Sequence, residues 1–223
     1  MCSQAVNVTP DSQHLEDEAR LPWLTMLLNM QHTINDGVAR AIAAGEQSGR
    51  KLACGRGCAT CCRTHGDIPV YPLELMGMYW FAVEKLAGET RQRVQAQLEN
   101  HKQLDSCPFL VDNACAIHPV RPMACRLFNV FDTVCAAGED AFHTRPADVL
   151  PPPEAAKREA LMAMLAHHGV ESDADRATVV DSGAVHQLAK NLRTLPWENL
   201  ALRMTNFDQR QAAAPGNQSE IRR

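Results

Sequence analysis

The chain has 223 residues, a formal net charge of −4, 45% apolar and 22% charged residues, which suits one sizeable soluble domain with helical extensions. No basic block interrupts it and aromatic residues make up only 5%, which argues against a DNA- or RNA-binding surface. No window approaches the ~18 apolar residues that a bilayer span needs.

In chain order, residues 1–14 read as a disordered N-terminus, polar and acidic, with no signal-peptide core and no apolar leader ahead of Cys2. From Leu15 to Ala44 the pattern predicts a helix: Leu24, Leu27, Leu28, Gln31, Ile34, Val38 and Ile42 recur mostly at steps of three and four. Ile68-Pro69-Val70 reads as a short extended element. Pro72 then suits the first turn of a helix running to Leu86. A polar helix is expected over 89–103, loops with short turns over 104–135, and a proline-rich connection over 143–153. Two more helices follow at 154–168 and 172–192, with a flexible tail over 208–223. The expected fold is mainly α: one helical domain over 15–207, with an irregular cysteine-rich centre at 54–135 held between helices.

Nine cysteines dominate the chemistry. Cys54, Cys58, Cys61 and Cys62 form C-x3-C-x2-C-C, and Cys107, Cys115 and Cys125 fall in a later stretch that also holds His118. Thiolates select soft or borderline ions, so the cluster points to zinc, copper(I) or iron–sulfur rather than magnesium or calcium. On a helix, steps of four, three and one keep the first four sulfurs within about 100° of arc. The adjacent pair Cys61-Cys62 suits one tetrahedral ion poorly, because successive side chains point apart. Seven thiols and His118 supply two four-ligand sites, or one four-iron cluster with ligands to spare. Arg121 and Arg126 lie inside the second block, where a guanidinium offsets the charge of a thiolate-bound centre and donates to sulfur. Such a thiol count points to a reducing cytoplasm.

These residues resemble a known family. C-x3-C-x2-C-C, then CPFL, then C-x-I-H-x-x-R-P-x-x-C-R over 54–130 is similar to the zinc- or iron-chelating cysteine-cluster family named for its CxxCxxCC motif. The first gap departs from that name: three residues separate Cys54 from Cys58. The resemblance implies ligand roles for Cys54, Cys58, Cys61, Cys62, Cys107, Cys115 and Cys125. His118, Arg121 and Arg126 are then associated motif positions. A related cysteine-cluster domain occurs in flagellin lysine-N-methylase, a much longer enzyme linked to a four-iron cluster, which makes methyl transfer one alternative.

Other residues read more plainly. Cys135, ten residues beyond Cys125, is either an eighth thiolate or a small core residue. His65 is a second imidazole near the block. His167 and His168 end a helix. Met76, Met78, Met162 and Met164 fall on helical patterns and read as core. A radical-SAM reading lacks the large barrel, no H-E-x-x-H supports a zinc protease, and no nucleophile elbow supports a serine hydrolase. The expected function is therefore metal binding, most simply an iron–sulfur module for electron transfer, sensing or metal handling. The alternatives are a structural zinc module that meets a partner protein and a cluster-dependent methyltransferase. Partner and oligomeric state are not legible in the sequence.

Overall fold

A computed structural model describes residues 14–213; the described residues are 64% helical, with ten helices and only small sheets. The fold is mainly α, as the periodicity predicts. No described helix is long and apolar enough to cross a membrane.

The first helical stretch is two helices, α1 (Leu15–Arg20) and α2 (Pro22–Gln47). Pro22 explains the break. The residue before a proline is pushed out of the helical region, and Leu21 sits at φ −128°, ψ 83°. Along α2 the buried positions Leu24, Leu27, Met30, Gln31, Ile34, Gly37 and Val38 form one stripe, close to the predicted one. Two glycines set how closely other helices approach. A Cβ at Gly37 would lie 2.4 Å from the Ala156 Cβ, and one at Gly77 would lie 2.1 Å from Leu27 Cδ2. Gly37 faces α8 (Glu154–His167) and Gly77 belongs to α4 (Pro72–Glu84), so α2 is the central post that both pack against.

Between α2 and α4 lie the short helix α3 (Thr60–Thr64) and strand β1 (Pro69–Val70). After α4 come α5 (Gly88–Glu99), a 3-10 turn at His101–Gln103, and a hairpin of β2 (Leu110–Val111) and β3 (Ala114–Cys115). Asp112 (φ 48°) and Asn113 (φ 59°) make the two-residue turn of that hairpin, a left-handed pair that Asp and Asn tolerate. A 3-10 turn (His118–Val120), α6 (Met123–Leu127), α7 (Ala141–Thr144) and a second turn (Pro146–Asp148) lead into α8.

The helix expected over 172–192 is shorter. Here α9 (Asp173–Asp181) stops before Gly183, whose φ of 76° needs a glycine. The chain continues as a 3-10 turn (Ala184–Leu188) and strand β4 (Lys190–Asn191). β4 pairs antiparallel with β1, Pro69 opposite Asn191 and Val70 opposite Lys190. The final helix α10 (Glu198–Ala213) includes the first six residues of the stretch expected as tail. Residues 1–13, with Cys2, and 214–223 lie outside the described residues.

Trp197 anchors the entry to α10. It is fully buried, its indole N–H donates to the Leu192 carbonyl at 2.7 Å, and its ring stands edge-on to Phe109 at 4.9 Å. Phe109 belongs to the CPFL segment, so the C-terminal helix and the second cysteine block share one core.

Candidate metal centre

The first block begins on a backbone ladder. Ala53 N–H donates to the Val130 carbonyl at 2.8 Å, and Leu52 pairs with Phe131. Val130 N–H in turn reaches the Cys54 sulfur at 3.3 Å. Gly55 and Gly57 (φ 84°) shape a tight exposed loop that presents Cys58, and α3 carries Cys61 and Cys62. The second block is strapped to the end of α3, since Cys107 N–H donates to the Cys62 carbonyl at 2.7 Å. The hairpin then places Cys115 opposite Leu110, and α6 carries Cys125.

Electrostatics sorts these sulfurs. Burial pushes Cys54 up, and its sulfur neighbours are Cys58, Cys61 and Cys135. Burial pushes Cys107 up to about 12 and drives Cys125 higher still; the sulfurs beside these two are Cys61, Cys115 and Cys107 itself. A hydrogen bond to Cys62, then burial, keeps the Cys61 thiol protonated. Cys54, Cys58 and Cys135 thus lie within electrostatic reach of one another, Cys107, Cys115 and Cys125 form a second such set, and Cys61 is a neighbour of both. Backbone N–H groups of Phe109 and Ile117 are aimed at the Cys107 and Cys115 sulfurs and offset part of the burial. Such N–H···S bonds favour the thiolate and orient it toward a metal.

Among the described residues, no three Cys, His, Asp or Glu side chains stand around a point as a finished metal site. The blocks are brought together as neighbours, and closing them into a site requires thiolates. Protonated thiols have no mutual attraction, and crowded thiolates repel until a cation compensates them. The donor chemistry fits zinc or an iron–sulfur centre: the described residues hold eight free thiols, most of them half-buried, with backbone N–H donors aimed at several.

Residues 53–147 match the family profile described as "CxxCxxCC: Putative zinc- or iron-chelating domain". The matched stretch makes up less than half of the chain. No curated protein and no solved structure matches the chain. The chemistry that the profile assigns to the CxxCxxCC domain is chelation of zinc or iron, and the domain includes Cys135 as well as the seven motif cysteines.

The other predicted positions divide. Arg126 is 4% exposed and its guanidinium is spent on the scaffold: Nε donates to the Arg121 carbonyl (2.9 Å), Nη1 to Asn35 Oδ1 of α2 (2.9 Å) and Nη2 to the Pro119 carbonyl (2.6 Å). Burial lowers it to about 10, so it stays charged at neutral pH. Arg121 lies closer to the sulfurs; burial lowers it, and Cys115, Cys125, Cys61 and Cys62 pull it back up. His118 stands on the exposed rim with its Nδ1 3.0 Å from Arg121 Nη1, and burial together with that cation holds it at about 4, a neutral imidazole. His65 packs edge-on against Phe128 at 4.3 Å, with Nε2 3.3 Å from Asp140 Oδ1.

Two supporting residues escape a motif search. Glu74 is fully buried; its Oε2 accepts from the Tyr71 N–H (3.0 Å) and its Oε1 from the Met123 N–H (2.6 Å), which ties the start of α4 to the start of α6. A proline followed two residues later by Glu at a helix start signals the first bond, because a third-position Glu reaches back to the cap. Nothing local signals the second. Arg145 donates to the Cys135 sulfur at 3.8 Å while also holding Glu139 and Asp148, which fixes the loop that carries Cys135.

Proposed function

We propose that the protein holds iron–sulfur clusters through two four-thiol groups and serves as an electron-transfer, sensing or metal-handling module. Cys54, Cys58 and Cys135 form one group and Cys107, Cys115 and Cys125 the other, and each takes one thiol of the Cys61–Cys62 pair. The observation that carries this reading is that the thiols fall into two electrostatic sets with Cys61 a neighbour of both. Cys61 and Cys62, joined by a hydrogen bond between their thiols, stand at the junction of the two sets and supply one thiol to each. Arg121 beside the second group offsets the net negative charge of a thiolate-bound cluster. In this reading Arg126 and His118 do not touch the metal. Arg126 braces the loop, and His118 presents a neutral imidazole to Arg121. A bound cluster would supply one-electron redox chemistry; the chain supplies thiolates, N–H···S donors and a partly dry setting.

The test is metal and acid-labile sulfide content of protein purified without oxygen. The reading expects iron with equal sulfide, ~4 of each per filled centre. Cys135→Ser and Cys115→Ser should each remove about half of that iron, one cluster's share. Colourless protein with one or two zinc ions and no sulfide would transfer the same ligands to zinc and remove the redox role. Unchanged metal in Cys135→Ser would remove Cys135 from the ligand set.

A further inference from the structure

An open groove of about 900 Å³ runs between α4 and α10, away from the cysteines. Its floor is apolar: Trp23, Leu75, Met76, Tyr79, Leu202 and Phe207. Leu202 is 59% exposed and continues this apolar lining into one contiguous surface, the kind of patch that marks an interaction site. A second hollow of about 550 Å³ shares Arg203, Asn206 and Arg210 with the first and extends past Gln209 to Ala213, so the depression follows α10 as one elongated trough. An elongated trough fits a rod better than a compact small molecule.

One rim of this trough is positive. Arg203 stacks over Tyr79, with its guanidinium carbon 5.6 Å from the ring centre, and Arg210 donates through Nε to the Asn206 carbonyl at 3.2 Å. Among the described residues neither forms an ion pair. The acids nearby are committed elsewhere, Asp208 to Arg91, Glu198 to Lys102, and Glu84 to Arg20. Arg203 and Arg210 stand seven residues apart on one helix face, about 10 Å at 1.5 Å per residue.

We propose that this trough docks an amphipathic helix of a partner protein whose apolar stripe fills the floor and whose carboxylates, spaced about two turns apart, meet Arg203 and Arg210. A second copy of this chain fits worse. A two-fold interface through this surface brings two further arginines to the same seam, and like charges there oppose association. The proposal is independent of which metal the cysteines hold.

Selection of helical peptides from a displayed random library against the metal-loaded protein tests it. Enriched sequences should carry an apolar stripe and two Asp or Glu residues seven positions apart. Their affinity should fall at least tenfold in the Arg203→Glu/Arg210→Glu double variant, whose retained helical content by circular dichroism separates lost docking from lost folding. Lysines placed at the peptide's acidic positions should restore binding to that variant. Enriched peptides without acids, equal binding to the double variant, or no enrichment over a Leu202→Asp variant would each overturn the proposal. So would a concentration-dependent dimer that Leu202→Asp abolishes, because the groove would then belong to a second copy.

Discussion

Glu74 shows how one residue outside the motif sets the frame for the cysteines. Burial drives its carboxyl up to about 7, although two backbone N–H groups and Arg126 favour the charged form. The folded-state value lies above the unfolded one, so the folded protein binds the extra proton between about pH 4.5 and 7. The contribution of this group to stability is therefore greatest at low pH and declines as pH rises through that window. The decline amounts to a few kcal/mol, at about 1.4 kcal/mol per unit. Glu74→Gln has no proton to lose there. The stability difference between wild type and Glu74→Gln, followed by urea melts from pH 5 to 8, should move steadily against the wild type. A difference that does not change with pH would contradict the account. Gln31 offers a second residue-scale test: it is 3% exposed on α2, and among the described residues neither amide atom has a protein partner. An orphaned buried amide costs roughly 1–3 kcal/mol, so Gln31→Leu should stabilise the fold by up to about that amount. A lower melting temperature in Gln31→Leu would mean that the amide has a role the apolar side chain cannot take.

At the scale of elements, glycine and proline decide where the helices start, stop and touch. Pro22 splits the first helix and Gly183 ends α9. Gly37 lets α2 meet α8 at Ala156, where the opposing atom is a rigid Cβ with no rotamer to escape into. Gly37→Ala gains about 1 kcal/mol of helix propensity but forces two packed backbones apart, an overpacking cost of roughly 1–3 kcal/mol. We expect a net loss of stability in denaturant melts, with metal content kept, because the side chains that a Cβ at Gly37 meets belong to Ala156 and Pro153 and not to a cysteine. Helix existence was legible from period and composition, since the α2, α4 and α8 stripes lie close to where their apolar residues recur. The Asp112-Asn113 hairpin and the β1–β4 pair were not. The first is a two-residue turn without glycine. The second joins residues 69 and 191 through contacts that no local pattern encodes.

For the molecule as a whole, metal and fold are expected to be one equilibrium. The proposed ligands come from blocks 45 residues apart in sequence, Cys62 to Cys107, and those two residues are joined by a backbone hydrogen bond. A centre that cross-links them binds the folded chain and not the unfolded one, and so stabilises it. Cys58→Ala and Cys61→Ser should each lower both metal content and thermal stability, and stripping the metal with a chelator should lower the melting temperature of the wild type. Full metal stoichiometry in both variants would end the ligand assignment for the first block.

The sequence by itself determined the chemistry and the class of fold. Thiol softness and spacing named zinc or iron, and a 3.6-residue apolar period named helices, because both are local properties of residue type and order. The tertiary structure decided how the parts relate. It brought Cys135 within electrostatic reach of Cys54 and Cys58, bonded Arg126 to Asn35 of α2, joined Glu74 to the start of α6, and left an apolar trough with an arginine rim on α10. Each of these depends on residues far apart in the chain meeting through packing and burial, which residue type and spacing do not encode.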